Sequence, residues 1–118
     1  MRVQVLSLAD MAARNKRFHA TDPHVSRDNF EQAELIWRGT ALLCWHDGGF
    51  SWLCPGCARW HYGKIGEVPV SGWDDPRWVN TGTAEAPTLT PSLGCPGWRN
   101  GTCPEGHYWL RDGNLVPA

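Results

Sequence analysis

The sequence predicts a small, mostly β domain carrying an N-terminal helical arm, an α+β chain overall. Three observations predict it. Asp-Gly turn signals sit between apolar runs in "ALLCWHDGGFSWLC" and "HYWLRDGNLV", the pattern of two hairpins. Thirteen Gly and nine Pro in 118 residues punctuate short strands and loops rather than long helices. Helical periodicity is confined to the first third of the chain.

Taken in order, "SLADMAARNKRF" opens with Ser7 and Asp10 at N-cap and N3 spacing, and Leu8, Met11 and Ala12 recur at about one turn. Asp22-Pro23 breaks that helix in a loop. "RDNFEQAELIW" predicts a second short helix with Phe30, Ala33, Leu35 and Ile36 on its apolar side, its end equally readable as extended. Residues 1–40 thus form the arm and residues 41–118 the β domain. From Thr40 the period changes to that of strands. "RWHYGKI" continues the first hairpin, and short strands fit Trp73 and Trp78–Asn80. "TLTPSL" is extended between Pro87 and Pro91, and the last hairpin turns at Asp112-Gly113.

Composition limits function. A chain of this length buries roughly 65% of its unfolded surface, a modest core. The formal net charge of -1 gives no global reason to bind nucleic acid or an anionic membrane. No apolar run is long enough to span a bilayer. Gln4, Ser7 and Asp10 interrupt the start, which argues against a signal peptide and for the reducing cytoplasm. There, closely spaced cysteines are metal ligands more often than disulfides.

"FSWLCPGCARWH" presents Cys54 and Cys57 as a C-x2-C knuckle, with Pro55 and Gly56 shaping its turn. Zinc takes four soft or borderline ligands in a tetrahedron, and such a knuckle supplies two. A redox dithiol would want a βαβ context that this chain lacks. The second pair comes from Cys95, Cys103, His107 or His61. The reading adopted is a structural zinc on Cys54, Cys57, Cys103 and His107, with Cys95 as the alternative ligand. Cys44 reads as a small buried apolar residue.

With the knuckle, "APTLTPS" and "GHYWLRDG" in view, the chain resembles a family of small phage and prophage proteins often labelled "ammonia monooxygenase" without chemical justification. The likeness runs through Cys54, Cys57 and His61, then Trp78 and Asn80, then Pro87, Thr88, Pro91 and Ser92, then Cys103, His107, Asp112 and Gly113. It covers residues 50 to 116. Related bacterial proteins stand beside ubiquitin-like conjugation components and have been suspected of peptidase activity. The resemblance implies a zinc-binding accessory or interaction module of viral origin, binding a protein partner in the host or the virion.

The alternative is a Ser–His hydrolase. Ser92 and His107 are the pair that suggests nucleophilic catalysis, with Asp112, Asp74 or Asp75 to orient the imidazole. In that reading the zinc is all-cysteine, because one imidazole cannot serve both sites. Ser92 lacks a G-x-S-x-G elbow, and serines after proline are commonly turn residues. Trp52, Trp60, Trp73, Trp78, Trp98 and Trp109 favour core and loop packing over base stacking, since no basic groove accompanies them.

Overall fold

The computed structural model describes residues 1–7, 9–10, 41–56, 59–72 and 74–118. Eight strands form one sheet in chain order: β1 (Val3–Leu6), β2 (Ala41–His46), β3 (Gly49–Cys54), β4 (Arg59–Ile65), β5 (Arg77–Asn80), β6 (Leu89–Gly94), β7 (His107–Arg111) and β8 (Asn114–Pro117). Neighbouring strands are antiparallel except β1–β2 and β4–β5. The sheet curls until its ends meet. Val3 donates to the Gly113 carbonyl at 2.8 Å, and Leu115 donates to the Met1 carbonyl at 2.8 Å. The result is nearly a barrel, which hides its strand edges.

The hairpin signals place the central strands. Gly48 takes φ 76° in the first turn, and Asp112 and Gly113 take φ 48° and 75° in the last, the positive pair that a type I′ turn requires. β2 and β3 are apolar without alternation because both faces are buried. Ala41, Leu43, Phe50, Trp52 and Cys54 join the main core, while Leu42, Cys44, Ser51 and Leu53 are buried on the opposite face. Leu89, Leu93, Leu110 and Leu115 close the core from the later strands.

Two elements differ from expectation. Val3–Leu6, placed in the helical arm by sequence, is a strand in parallel register with β2. Its "VQVL" alternation is short, and only β2 on one side and β8 on the other reveal its state. Between β6 and β7 lies a short helix, α1 (Pro96–Asn100), well beyond the first third to which helical periodicity is confined. Cys95 caps it, Pro96 opens it and Gly101 ends it at φ 84°, the usual Pro-in, Gly-out asymmetry. Ser7 and Asp10 do exchange bonds as a capping box, each side chain accepting the other's backbone N–H at 3.1 Å. The two expected helices otherwise fall on residues outside those described, as does the strand expected at Trp73. No described helix is long and apolar enough to cross a membrane.

Candidate active site

The site is built where β6 loses register with β7. Leu89 pairs with Leu110 and Leu93 with Tyr108, so β6 advances four residues while β7 advances two. The surplus bulges out, and Ser92 sits in the bulge. Bulges re-aim side chains, and here the Ser92 hydroxyl is aimed at its neighbour strand. Gly94 lies directly opposite His107. Gly94 presents no side chain there, and His107 reaches diagonally across the ladder to Ser92. Ser92 Oγ and His107 Nε2 meet at 2.7 Å, both residues half-buried.

A tryptophan, rather than a carboxylate, backs the imidazole. The indole of Trp98, carried by α1, lies over His107 with ring centroids 4.2 Å apart and planes 37° apart. Among the described residues no carboxylate is bonded to His107. Asp75, one expected orienter, is instead committed to Lys64 at 2.9 Å and Arg77 at 3.1 Å, which hold its carboxyl below the usual range. Asp112 stands beyond the opposite end of β7, about 16 Å along the strand from His107. Asp74 is exposed.

The pair opens onto a cavity of about 370 Å³. Its walls come from Trp52, Trp78, Trp98, Pro91 and Tyr62, with His61 opposite Trp52 in the β3–β4 ladder. Burial, reinforced by Arg59, pushes the His61 imidazole down to about 4, so it is neutral at neutral pH. Among the described residues the lining contains no Asp, Glu, Lys or Arg. Trp78 also donates its indole N–H to the Ser92 carbonyl at 3.3 Å, tying the cavity wall to the bulge.

Behind this site lies a sulfur cluster. The Sγ atoms of Cys54, Cys95 and Cys103 lie within 4.8 Å of one another, all buried. Cys54 and Cys103 are 3.8 Å apart. Zinc–sulfur bonds of about 2.3 Å at tetrahedral angles put sulfurs about 3.8 Å apart, so the donors fit such an ion. The backbone crowds the sulfurs: a Cβ at Gly106 would stand 2.9 Å from Cys103 Sγ and 2.8 Å from Cys95 Cβ, so only glycine fits there. Cys57 lies outside the described residues. The expectation ranked His107 as the fourth ligand and Cys95 as its substitute. In the structure Cys95 Sγ stands in the cluster, and His107 Nε2 lies 2.7 Å from Ser92 Oγ. His61 is not in the cluster, and Cys44 is buried elsewhere, in β2.

Cluster and pair share a framework. Cys95 follows Ser92 by three residues and Cys103 precedes His107 by four. Cys95 N–H donates to the Gly106 carbonyl at 2.7 Å and Cys103 N–H to the Gly97 carbonyl at 2.7 Å. The loop that closes over the sulfurs is therefore the one that holds Trp98 over His107. Sequence reasoning reads Trp98 as a packing residue and does not single out Gly94. The Pro96 and Gly101 punctuation of α1 was the available signal for the first; the second depends on register, which no local pattern reports.

A hydroxyl hydrogen-bonded to an imidazole beside a cavity with aromatic walls is the arrangement a Ser–His hydrolase would use. The family comparison agrees: the model described as "Bacterial ubiquitination-like system serine protease (BubE)" matches residues 24–118, and the chain belongs to that family. The match lies on the peptidase side of the resemblance and says nothing of a phage origin. No curated protein and no solved structure matches the chain.

Proposed function

We propose that this chain is a serine peptidase of a ubiquitination-like system, with Ser92 as nucleophile and His107 as general base. The observation that carries the reading is the 2.7 Å contact between Ser92 Oγ and His107 Nε2 at the mouth of the cavity. With the His107 proton on Nδ1, the Ser92 hydroxyl donates to Nε2. Its oxygen attacks a peptide carbonyl as the proton passes to the imidazole. The tetrahedral species collapses, the C–N bond breaks, and the imidazolium returns its proton to the departing amine. Water, deprotonated by the same imidazole, then hydrolyses the serine ester and restores both residues. The family description supports this chemistry and the setting.

Cys54, Cys95 and Cys103, with Cys57 as fourth donor, would hold a structural zinc. A shell closed by four thiolates would leave no place for a reacting water, so the ion would supply rigidity alone. His107 is thereby left to Ser92. The protein partner expected from sequence becomes the substrate: a ubiquitin-like protein cut near its tail. Incubation with such a protein carrying a C-terminal extension should release the extension. Ser92→Ala should lower the rate at least a thousand-fold while the melting temperature holds. Undiminished cleavage by Ser92→Ala would overturn the reading.

A further inference from the structure

The way β6 continues past β5 implies how substrate is held. β5 pairs with β6 at Val79–Thr90 and Asn80–Leu89 and with no later residue. Arg77 turns its backbone to Val70 instead, through bonds of 3.0 and 2.9 Å. From Pro91 onward, then, β6 is bounded on that side by the cavity, whose far wall includes Ser71 and Gly72.

The orientation of the Gly94 amide follows from its neighbours. Cys95 N–H bonds to the Gly106 carbonyl at 2.7 Å, and the His107 carbonyl accepts the Ala118 N–H at 3.0 Å, on the β8 side. Gly94–His107 is therefore the non-hydrogen-bonded kind of antiparallel pair. The Gly94 N–H and C=O point away from β7, toward the cavity that Gly94 lines. Ser92 obeys the same alternation, since its carbonyl meets the Trp78 indole on that side. Among the described residues no strand pairs with Gly94 there.

We propose that the substrate is an extended, uncharged peptide segment that pairs with the backbone of Gly94 as an added strand and sets one apolar side chain among Trp52, Trp78 and Trp98. Main-chain pairing supplies affinity, and the alternate side chain supplies selectivity. A strand seated at Gly94 passes Ser92 about two residues, or about 7 Å, further along. The aromatic walls, with no ionic partner among the described lining residues, disfavour Asp, Glu, Lys or Arg at the pocketed position, because a charge buried against those walls loses its hydration. The volume lies at the low end of the roughly 300–1,000 Å³ typical of small-ligand sites, enough for one large side chain and its backbone. A folded surface does not enter such a space; a flexible tail does. The inference rests on the hydrolase reading for the chemistry that follows binding, and it is tested through binding alone.

The experiment uses full-length protein with Ser92→Ala, titrated with capped pentapeptides Gly-Gly-Xaa-Gly-Gly, where Xaa is Leu, Phe, Asp or Lys. Tryptophan fluorescence reads occupancy, and the ¹⁵N-edited amide signal of Gly94 reads pairing. Leu and Phe peptides should bind at least ten-fold tighter than Asp or Lys peptides. The Gly94 amide should shift and exchange more slowly when they bind. N-methylation of the peptide amides around Xaa should weaken binding at least five-fold. Equal or tighter binding of the charged peptides, or binding with the Gly94 amide unmoved, would overturn the proposal. Binding as described without turnover by wild type would sink the peptidase reading and leave this one standing. Turnover with no side-chain preference would do the reverse.

Discussion

Ser92 Oγ lies 2.7 Å from His107 Nε2 across a ladder position held by Gly94. Two strands that differ in advance by two residues bring a hydroxyl and an imidazole together without the sharp strand-to-helix elbow of the α/β-hydrolases. The bulge, the glycine opposite His107 and the indole of Trp98 frame the contact.

If the pair acts as a unit, its members are not additive. Ser92→Ala and His107→Ala should each lower kcat by at least a thousand-fold, and the double variant should be little worse than either. Steady-state kinetics on the three variants decide this. Independent, multiplying losses would show that the two residues do not share one step.

Trp98 should behave as a positioning residue. Trp98→Ala should cut kcat about ten-fold, because its stacking orients the imidazole, and should raise KM as well, because the same indole walls the cavity. Trp98→Phe should recover most of the loss by keeping a ring in place. A loss expressed wholly in KM would assign Trp98 to substrate binding alone.

Metal content separates the sulfur cluster from a chance grouping. Elemental analysis should return one zinc per chain. Cys103→Ser should lose the metal and much of the melting transition, since metal affinity on the order of 10 kcal/mol is folding free energy in small zinc modules. Cys44→Ser should keep its zinc. Full metal retention by Cys103→Ser would remove that residue from the ligand set.

Cys44 gives the fold a pH limit at the alkaline end. Burial, with Asp10 adding, pushes its thiol up to about 11 from 9.0. Between those values the unfolded chain gives up a proton that the folded chain keeps, so stability falls as pH rises from about 9 to 11. The loss is on the order of 2–3 kcal/mol. Denaturant midpoints should drop across that window in wild type and less in Cys44→Ala, with the thiol unreactive to alkylation at pH 8 until unfolding.

How much of this was legible beforehand follows from where each signal resides. The hairpins at Gly48 and Asp112-Gly113 are local, set by φ values that few residues accept, and the sequence displays them openly. The C-x2-C spacing that begins at Cys54 is likewise read directly from the chain. β1 depends on partners at Ala41 and Asn114, distant in the chain, and so escaped notice. Ser92 and His107 were recognisable as residue types, but their meeting depends on a two-residue slip between β6 and β7. The competition for His107 between sulfur and hydroxyl is a matter of ring direction, which spacing alone leaves open.

The most direct test of the central claim is covalent capture. Wild-type protein treated with a small fluorophosphonate should gain the mass of one phosphonyl group per chain, and tandem mass spectrometry should place it on Ser92. His107→Ala should slow the labelling at least a hundred-fold. Failure of folded, zinc-replete protein to label, or an adduct on another residue, would contradict the account.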